Sequence, residues 1–382
     1  MKNTNPGLQK TLPVFLSFLV MGFVDIVGVA TGYIKNDFGL TDSVAQFLPS
    51  MALIWFFLMS VPAGLLQDRY GKRNMLNIGM LLTGVGMVIP FLWYSFPTML
   101  VAFIVLGVGN TIVQVSANPL LHDVAGSKFS SYMSLSQFVK AISSLLGPII
   151  TTAMAAFFGN WKLVFAVYAV TSFLAVLWLF LTKIEESRST EQLATFRSCF
   201  SLLKNPFIAV MAVGIFMLVG SDVGMNSNIA NFLVLQHGLN LEQASLGISL
   251  YFTALMIGRF SGAVLLNWFP ARAFLLGTAL LALGSLLVLV FAPSLLVARI
   301  AIFMTGLGSA NLFPLIFAIS VEKMPGRANE ISGLLIMAVS GGAFIPPVMG
   351  AVSTQFGVVA SFLVLVVCMV YLVFAGVYAL KR

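Results

Sequence analysis

Apolar runs of about 20 residues, separated by short polar turns, recur from Thr11 to Leu380, and a membrane-spanning helix needs about that length. The runs do not alternate apolar and polar residues as the strands of a membrane barrel would, so they predict helices. Only 8% of the 382 residues are charged. In soluble domains about a quarter of the residues are charged. Lipid must therefore be the solvent, and the sequence predicts an all-α membrane protein of twelve transmembrane helices. The predicted spans lie near 11–34, 44–67, 74–94, 98–121, 129–157, 161–182, 206–235, 243–267, 271–292, 296–321, 329–355 and 359–380.

Basic residues are unevenly distributed over the predicted turns. Fifteen fall in segments on one side of the membrane, and only Lys35 and Lys162 fall on the other. Because cytoplasmic loops carry the excess of lysine and arginine, this bias predicts an inner (plasma) membrane protein with both termini in the cytoplasm. The net charge of +8 follows from the same bias and does not indicate nucleic-acid binding. We expect a monomer surrounded by membrane lipid.

The two halves of the chain match at a nearly constant offset. Gly107 corresponds to Gly306, and Pro148 to Pro347, both at an offset of 199 residues. Such matches predict a duplicated six-helix unit, and two such pseudo-symmetric halves are typical of alternating-access carriers. The predicted domains are an N-terminal six-helix bundle over 1–182, a cytoplasmic linker over 183–205 and a C-terminal six-helix bundle over 206–382.

The turn between the second and third predicted spans carries the strongest local motif. It reads Gly64-Leu-Leu-Gln-Asp68-Arg69-Tyr-Gly71-Lys72-Arg73 and closely resembles the signature loop of the major facilitator superfamily. Gly64 would allow two helices to approach closely, and charge-assisted bonds from Asp68 and Arg69 would stabilise one conformation. The alternative is a basic turn that only sets topology. The predicted conformational latch consists of Gly64, Asp68, Arg69, Gly71, Lys72 and Arg73.

Four further segments resemble a narrower group, the fucose permease family, which includes glucose/galactose carriers. They are Gly109–Pro119, Val219–Asn231, Ala244–Phe260 and Ser332–Pro346. The resemblance implies a sugar carrier driven by a proton or sodium gradient. Fucose permease itself has a glutamate where this chain has Gln114, and glucose/galactose members resemble this chain in having glutamine. An amide cannot release a proton, so proton coupling through position 114 is excluded, and a hexose of the glucose/galactose kind is favoured.

Ionisable residues inside the predicted spans are candidates for ion coupling, because a charge at the bilayer centre costs on the order of 3 kcal/mol. Asp25 is the first candidate, and Asp222 occupies a comparable position in the second half. Lys140, where the family commonly carries asparagine, needs a counter-ion, and Asp25 on the neighbouring first helix is the expected partner. The alternatives are a structural ion pair for Asp25 and Lys140 and a packing bond for Asp222.

Sugar recognition requires amides or acids for the hydroxyl groups and an aromatic face for the ring. Some amides within apolar helices will serve instead as interhelical hydrogen bonds, and most aromatic residues will face lipid or the core. The predicted substrate-binding residues are Gln114, Asn118, Gln137, Asn226, Asn231, Asn311, Trp55 and Tyr251.

Enzyme signatures are missing from the sequence. The two histidines, His122 and His237, lie far apart, and there is no phosphate-binding loop, so we expect no cofactor, no metal site and no enzymatic activity. The sequence therefore predicts a secondary active transporter that couples hexose uptake to a proton or sodium gradient. The alternative is a multidrug or metabolite exporter on the same fold, because fold does not fix substrate.

Overall fold

The computed structural model of the protein describes residues 8–45, 47–187 and 194–382, and these residues are overwhelmingly helical. In lipid every backbone N–H and C=O group must be satisfied internally, which helices achieve within a single segment. The first six spans and the segments that join them comprise α1 (Leu8–Met21), α2 (Ile26–Phe38), α3 (Asp42–Ala45), α4 (Phe47–Leu58), α5 (Ser60–Tyr70), α6 (Lys72–Leu92), α7 (Phe96–Ala125), α8 (Phe129–Phe158) and α9 (Leu163–Leu181).

The remaining helices begin in the linker. They are α10 (Phe196–Ser201), α11 (Pro206–His237), α12 (Leu241–Leu265), α13 (Ala271–Val290), α14 (Leu295–Ser309), α15 (Leu312–Lys323), α16 (Ala328–Met337), α17 (Gly341–Phe356) and α18 (Val358–Lys381). Side chains cap several of their first turns: Asn205 accepts from Phe207 N at the start of α11, and Asn240 accepts from Gln243 N at the start of α12.

Twelve spans follow from these bounds. By length and composition, ten helical stretches of the described residues can cross a membrane, and the bent pair α4 and α5 adds another. One of the ten, Phe96–Phe158, has 63 residues. At a rise of 1.5 Å per residue it would measure about 95 Å, three times the hydrocarbon thickness. It is two spans, α7 and α8, joined at the 3₁₀ turn Gly126–Lys128, where Gly126 adopts a positive φ of 53°.

Several spans are interrupted, which the apolar pattern did not predict. The first span breaks at the 3₁₀ turn Gly22–Asp25 between α1 and α2. The second bends by 55° between α4 and α5. Pro62 has no N–H to donate to the carbonyl of Leu58, which explains the bend. The tenth breaks between α14 and α15, and the eleventh at the 3₁₀ turn Ala338–Ser340 between α16 and α17.

Glycines bring α6 and α7 into backbone contact. A Cβ added to Gly109 would lie 2.6 Å from the Thr83 backbone nitrogen. The corresponding contact occurs in the second half, where a Cβ on Gly308 would lie 2.5 Å from the Ala282 nitrogen. Small residues allow such close approach in membranes. The offset of 199 residues in the sequence therefore corresponds to the same packing contact in each half.

Aromatic side chains gather around Asp37 at the end of α2. Its Oδ2 accepts hydrogen bonds from the Tyr94 hydroxyl at 2.6 Å and from Trp161 Nε1 at 3.0 Å, and the Trp161 ring stacks on Tyr33 at 5.0 Å between centroids. These bonds connect α2 to the segments that precede α7 and α9.

The described residues form two compact units. The first comprises those of Met1–Phe129, Ser136–Phe200 and Met324–Met337, and the second comprises Ser130–Leu135, Ser201–Lys323 and Ala338–Arg382. Most of each predicted half falls in one unit, although α16 of the eleventh span is part of the first. The division into 1–182, 183–205 and 206–382 stays a prediction, and residues 188–193 of the linker lie outside the described residues.

Candidate functional site

Asp25 lies in the break of the first span, at the end of the 3₁₀ turn Gly22–Asp25, and its side chain is exposed. The Ser144 hydroxyl of α8 donates to the Asp25 carboxylate. The same hydroxyl lies 3.1 Å from the carbonyl oxygen of Lys140, one turn earlier in α8. Asp25 is therefore bonded to the helical turn that carries Lys140.

The backbones of these two segments are also in direct contact. A Cβ added to Gly22 would lie 2.6 Å from Ser143 Cβ and 2.7 Å from the Lys140 carbonyl oxygen, so only glycine fits there. The Lys140 side chain is half-buried. The first and fifth spans are thus neighbours, as the resemblance to the superfamily implied.

Buried amide and carbonyl groups of α1 and α7 form a chain of hydrogen bonds. Asn110 Nδ2 donates to the Met21 carbonyl at 2.9 Å, and Gln114 Nε2 donates to Asn110 Oδ1 at 3.1 Å. Asn118 Nδ2 donates at 2.9 Å to the carbonyl of Gln114, within its own helix. Asn110 is fully buried, and Gln114 is 5% exposed. Because Met21 is the last residue of α1, Asn110 holds α7 against the break that positions Asp25.

Two other predicted sugar-binding residues of the first unit are less accessible than expected. Trp55 packs on Gly107, where an added Cβ would lie 2.9 Å from Trp55 Cδ1. Its buried Nε1 has no hydrogen-bond partner among the described residues. Gln137 is buried in α8, with 4% of its surface exposed.

The second unit contains the other acid and its partner. The Tyr251 hydroxyl of α12 donates to Asp222 Oδ1 of α11 at 2.6 Å, and Tyr251 is fully buried. This tyrosine, predicted as a stacking residue, is in this conformation a hydrogen-bond donor whose ring has no free face.

The remaining amides of the second unit lie on α11 and in the break between α14 and α15. Asn311 lies in the break between α14 and α15, and its Nδ2 donates to the Gly258 carbonyl at 2.7 Å, which makes it a bond between spans eight and ten. Asn226 is half-buried and Asn231 is exposed along α11.

The loop Gly64–Arg73 lies against α16. A Cβ on Gly64 would lie 2.9 Å from the Asn329 carbonyl oxygen and 3.2 Å from Gly333 Cα. The Asp68 carboxylate accepts from Asn329 Nδ2 and, at 3.2 Å, from the backbone N–H of Ala194. Asp68 thereby joins α5 to both α16 and the linker.

Lys72 and Arg73, at the basic end of the loop, contact the first residues of the linker. Lys72 is buried, and its Nζ lies 2.7 Å from Asp123 Oδ2 and 3.0 Å from Ser187 Oγ. The Glu186 carboxylate accepts from the backbone N–H groups of Lys72 and Arg73 at 2.7 and 3.1 Å. A carboxylate is stabilised there because the first N–H groups of α6 are otherwise unsatisfied.

Arg73, Arg69 and Gly71 complete the loop. Arg73 Nε donates to the Leu179 carbonyl at 3.1 Å at the end of α9. Arg69 is exposed, with its guanidinium 5.6 Å from the centre of the Tyr70 ring. Gly71 has φ +86°, a conformation that requires glycine, and a Cβ there would lie 3.0 Å from Glu186. Five of the six predicted latch residues thus contact the linker, α9 or α16 within the described residues, whereas Arg69 lies beside Tyr70.

A cavity of about 400 Å³ opens beside this loop. Its lining includes Lys72, His122, Asp123, Ser187 and Asn329. None of the predicted sugar-binding residues lines it, so it belongs to the contacts of the loop Gly64–Arg73 and not to the candidate sugar site.

Sequence reasoning missed the partners of the loop, which are Asp123, Glu186 and Asn329, and it did not single out Asn110. Asn110 lies within the Gly109–Pro119 motif, four residues before Gln114 and therefore on the same helix face, which is a signal that could have identified it. Glu186 and Asn329 lie 113 or more residues from the groups they bind, and nothing local indicates the contact.

A model of the family described as the Major Facilitator Superfamily matches residues 14–347. The chain belongs to the major facilitator superfamily. A glucose/galactose transporter of Brucella abortus biovar 1 (strain 9-941) is 25% identical, over 96% of this chain and 93% of that protein. The L-fucose-proton symporter of Escherichia coli (strain K12) is 21% identical, over 85% of this chain and 82% of that protein.

The fold of this chain is also similar to that of a solved major facilitator structure. A crystal structure of the E. coli fucose:proton symporter covers 97% of this chain and 99% of its own, with a TM-score of 0.84 at 18% sequence identity. The twelve-span all-α architecture predicted from the sequence is confirmed.

Proposed function

We propose that this major facilitator protein is a cation-coupled symporter of a hexose-class sugar that works by alternating access. The observation that carries the proposal is the hydrogen-bonded chain Gln114–Asn110–Met21, which ends four residues before Asp25. It brings an amide suited to a neutral hydroxyl group and a carboxylate suited to a cation onto the same break in the first span. The relatives named as glucose/galactose and fucose carriers support a sugar substrate.

The coupling cation is a proton, taken up and released by Asp25. The similar fucose carrier is a proton symporter. Gln114 has no proton to release, whereas the Asp25 carboxylate is exposed and bonded to a hydroxyl that can follow its change in charge. Lys140, on the adjoining turn of α8, competes with the proton for Asp25 as a built-in cation. Asp222 is the next coupling candidate if Asp25 is structural.

The sugar site includes Gln114, with Asn118, Gln137 and Trp55 on the same unit. Asn226 and Asn231, on α11 of the second unit, stay candidate sugar ligands from the sequence. Tyr251 and Asn311 support neighbouring helices in the conformation described here. The chain is a monomer of the inner membrane with both termini in the cytoplasm, in line with its basic-residue distribution.

Uptake by proteoliposomes tests this function. The purified protein is reconstituted, and labelled hexoses, pentoses and lipophilic cations are offered while proton and sodium gradients are imposed separately. We expect accumulation of a hexose only when the proton gradient is inward, and its collapse with a protonophore. Liposomes without protein and a sodium gradient alone are the controls. Export of lipophilic cations without uptake of any sugar would establish the exporter alternative.

Asp25 and Lys140 are tested as a pair. Single variants Asp25→Asn and Lys140→Ala and the double variant are compared with the unmodified chain in gradient-driven uptake and in counterflow. Two side chains that act together give non-additive effects, so the double variant should be less impaired than the two single effects combined. Additive losses would show that Lys140 acts independently of Asp25.

A further inference from the structure

The hydrogen bonds around Asn110 have a defined direction. A backbone carbonyl can only accept, so the group of Asn110 that faces Met21 O must be its NH₂. The Met21 carbonyl therefore decides which end of the Asn110 amide is nitrogen and which is oxygen, two atoms of nearly the same size that their positions alone would not distinguish. Asn110 Oδ1 then faces α7, where Gln114 must present its own NH₂ to it at 3.1 Å.

We infer that Asn110 is a positioning residue that fixes the orientation of the Gln114 amide, with Nε2 toward Asn110 and Oε1 as the end available to a ligand. A free glutamine can offer a ligand either a donor or an acceptor. With one N–H of its amide nitrogen bonded to Asn110, Gln114 presents the acceptor Oε1 at the opposite end of the amide. A neutral hydroxyl group that binds at that end must donate its hydrogen. The identification of the ligand as a hydroxyl group rests on the proposed sugar transport, whereas the orientation of the Gln114 amide does not.

The burial of the hydrogen bonds that link Met21, Asn110 and Gln114 stabilises this orientation. Met21 is 1% exposed and Asn110 is fully buried, so water cannot easily replace either bond. Rotating the Gln114 amide by half a turn would set its oxygen against Asn110 Oδ1, leaving two buried acceptors facing each other. The unrotated state is the one in which both amide bonds are made.

The orientation also distinguishes glutamine from glutamate at position 114. An ionised carboxylate has no hydrogen to donate to Asn110 Oδ1, and only the protonated acid can replace the amide bond. Gln114→Glu therefore converts the direction of the Asn110 bond into a measurable protonation equilibrium. If Asn110 instead turned its NH₂ toward position 114, it would favour the ionised form.

Charged groups elsewhere in the unit could also affect such a measurement. Asp25 is nearest along the chain to the Met21 bond, and the Asp25→Asn background removes its charge. The other charged residues on elements packed against α7 lie toward the helix ends. They are Lys10 on α1, Lys35 and Asp37 on α2, Asp68 and Arg69 on α5, Lys72 and Arg73 on α6, His122 and Asp123 near the end of α7 itself, Lys128 beyond it, and Glu330 on α16. Lys140 of α8, on the turn bonded to Asp25 through Ser144, is unchanged in every variant compared.

The test is an infrared titration of the whole protein in lipid. The carbonyl band of the carboxylic acid introduced by Gln114→Glu is followed against pH in the Asp25→Asn background. The spectrum of the Asp25→Asn single variant, which keeps Gln114, is subtracted at each pH. Asn110→Leu and Asn110→Ala are then added separately. The leucine keeps water out, and the alanine allows it in, so the two bracket the effect of hydration. Thr111→Val, which removes a hydroxyl bonded only to the Gly107 carbonyl of its own helix, is the matched control.

We expect both Asn110 substitutions to lower the pH at which half of the introduced groups are protonated. The shift should be about 1 pH unit, the value of one lost hydrogen bond to the protonated form. Thr111→Val should leave the midpoint unchanged. A rise with both substitutions would show that Asn110 presents its NH₂ to α7. A fall with alanine and a rise with leucine would show hydration alone, and no change would show that the two side chains are uncoupled. Each of these three results overturns the inference.

Sugar analogues test the ligand half of the inference separately. At the hydroxyl that contacts Gln114, the deoxy and the fluoro analogue should both bind about five- to tenfold more weakly, because neither can donate. Asn110→Ala should reduce this discrimination by freeing the Gln114 amide to rotate. A fluoro analogue that binds as well as the parent where the deoxy analogue fails would overturn the acceptor role. If no hexose binds, the proposed function fails, while the infrared titration still decides the orientation.

Discussion

Asp25 and Asp222 hold comparable places in the two halves but differ in their surroundings. Asp25 ends a 3₁₀ turn that interrupts the first span, is exposed and accepts a bond from Ser144. Asp222 lies inside α11, which runs unbroken for 32 residues, and accepts a bond from the fully buried Tyr251 at 2.6 Å. Asp25 is therefore the more exposed of the two acids, whereas Asp222 is half-buried and bonded to a buried tyrosine.

The loop Gly64–Arg73 and its counterpart in the second half show the same divergence. The loop Gly64–Arg73 binds α9, α16 and the linker through Asp68, Lys72 and Arg73. Its counterpart over 262–272 has no acid at the position of Asp68. A Cβ on Gly262 would instead meet the Asn311 side chain at 2.3 Å, so the second glycine accommodates an amide and not another helix backbone. The first half therefore carries the groups expected to change partners, and the second half carries fixed ties.

The largest effect is expected from Asp25→Asn. Removing the exposed carboxylate should abolish accumulation of sugar against its gradient, while counterflow of sugar persists because substrate binding does not need the proton. Gradient-driven uptake and counterflow in the same proteoliposomes measure the two. Asp222→Asn is the matched variant and should still accumulate sugar. The reverse outcome would place coupling in the second half.

The next effect in size is expected from Asp68→Asn. Replacing the carboxylate weakens charge-assisted bonds to Asn329 and Ala194, each of which contributes about 1.5–3 kcal/mol. We expect the transport rate to fall about tenfold, with hexose affinity within about twofold, because the loop contacts α7 at Asp123, beyond Gln114 on that helix. Stopped-flow exchange and equilibrium binding measure these quantities. Arg272→Ala, in the counterpart loop, should change neither.

A smaller effect is expected from Tyr251→Phe. It leaves Asp222 without its hydroxyl donor at little change in packing, and the free energy of unfolding should fall by about 1–2 kcal/mol. Thermal unfolding in detergent should show a melting temperature lower by about 2 °C. Proton-driven accumulation should persist. If Tyr251→Phe instead uncouples transport, Asp222 is more than a tie between α11 and α12.

The smallest effect is expected at Cys199 of α10. Burial, reinforced by the nearby Glu330 carboxylate and opposed by Arg327, raises the pKa of this thiol to about 12. Thiolate is the reactive form, so maleimide labelling near pH 7 should be slow and should rise about tenfold per pH unit. In a Cys368→Ser background, Asp68→Asn should increase the labelling rate about twofold by loosening the linker. An unchanged rate would show that the linker does not follow the loop.

The spans and their number could be read from the sequence because apolar length alone determines them. The breaks at Gly22–Asp25 and between α14 and α15 could not, because a glycine or an asparagine in an apolar run is compatible with a continuous helix. The loop motif was recognisable, but its partners Glu186 and Asn329 depend on tertiary contacts over more than 100 residues. Tyr251 was assigned to a sugar because sequence does not reveal which aromatic residue a neighbouring acid will bind.

The contact between Gly64 and Gly333 links residues that a ribosome makes far apart in time. At about 5–20 residues per second, the 269 residues between them take tens of seconds to synthesise. During that interval the Gly64 face of α5 has no α16 to cover it, since a Cβ there would lie 3.2 Å from Gly333 Cα in the finished protein. The newly inserted first half must therefore wait in the membrane with this face against lipid or an insertion factor, and its assembly is completed by nearly the last helices to emerge.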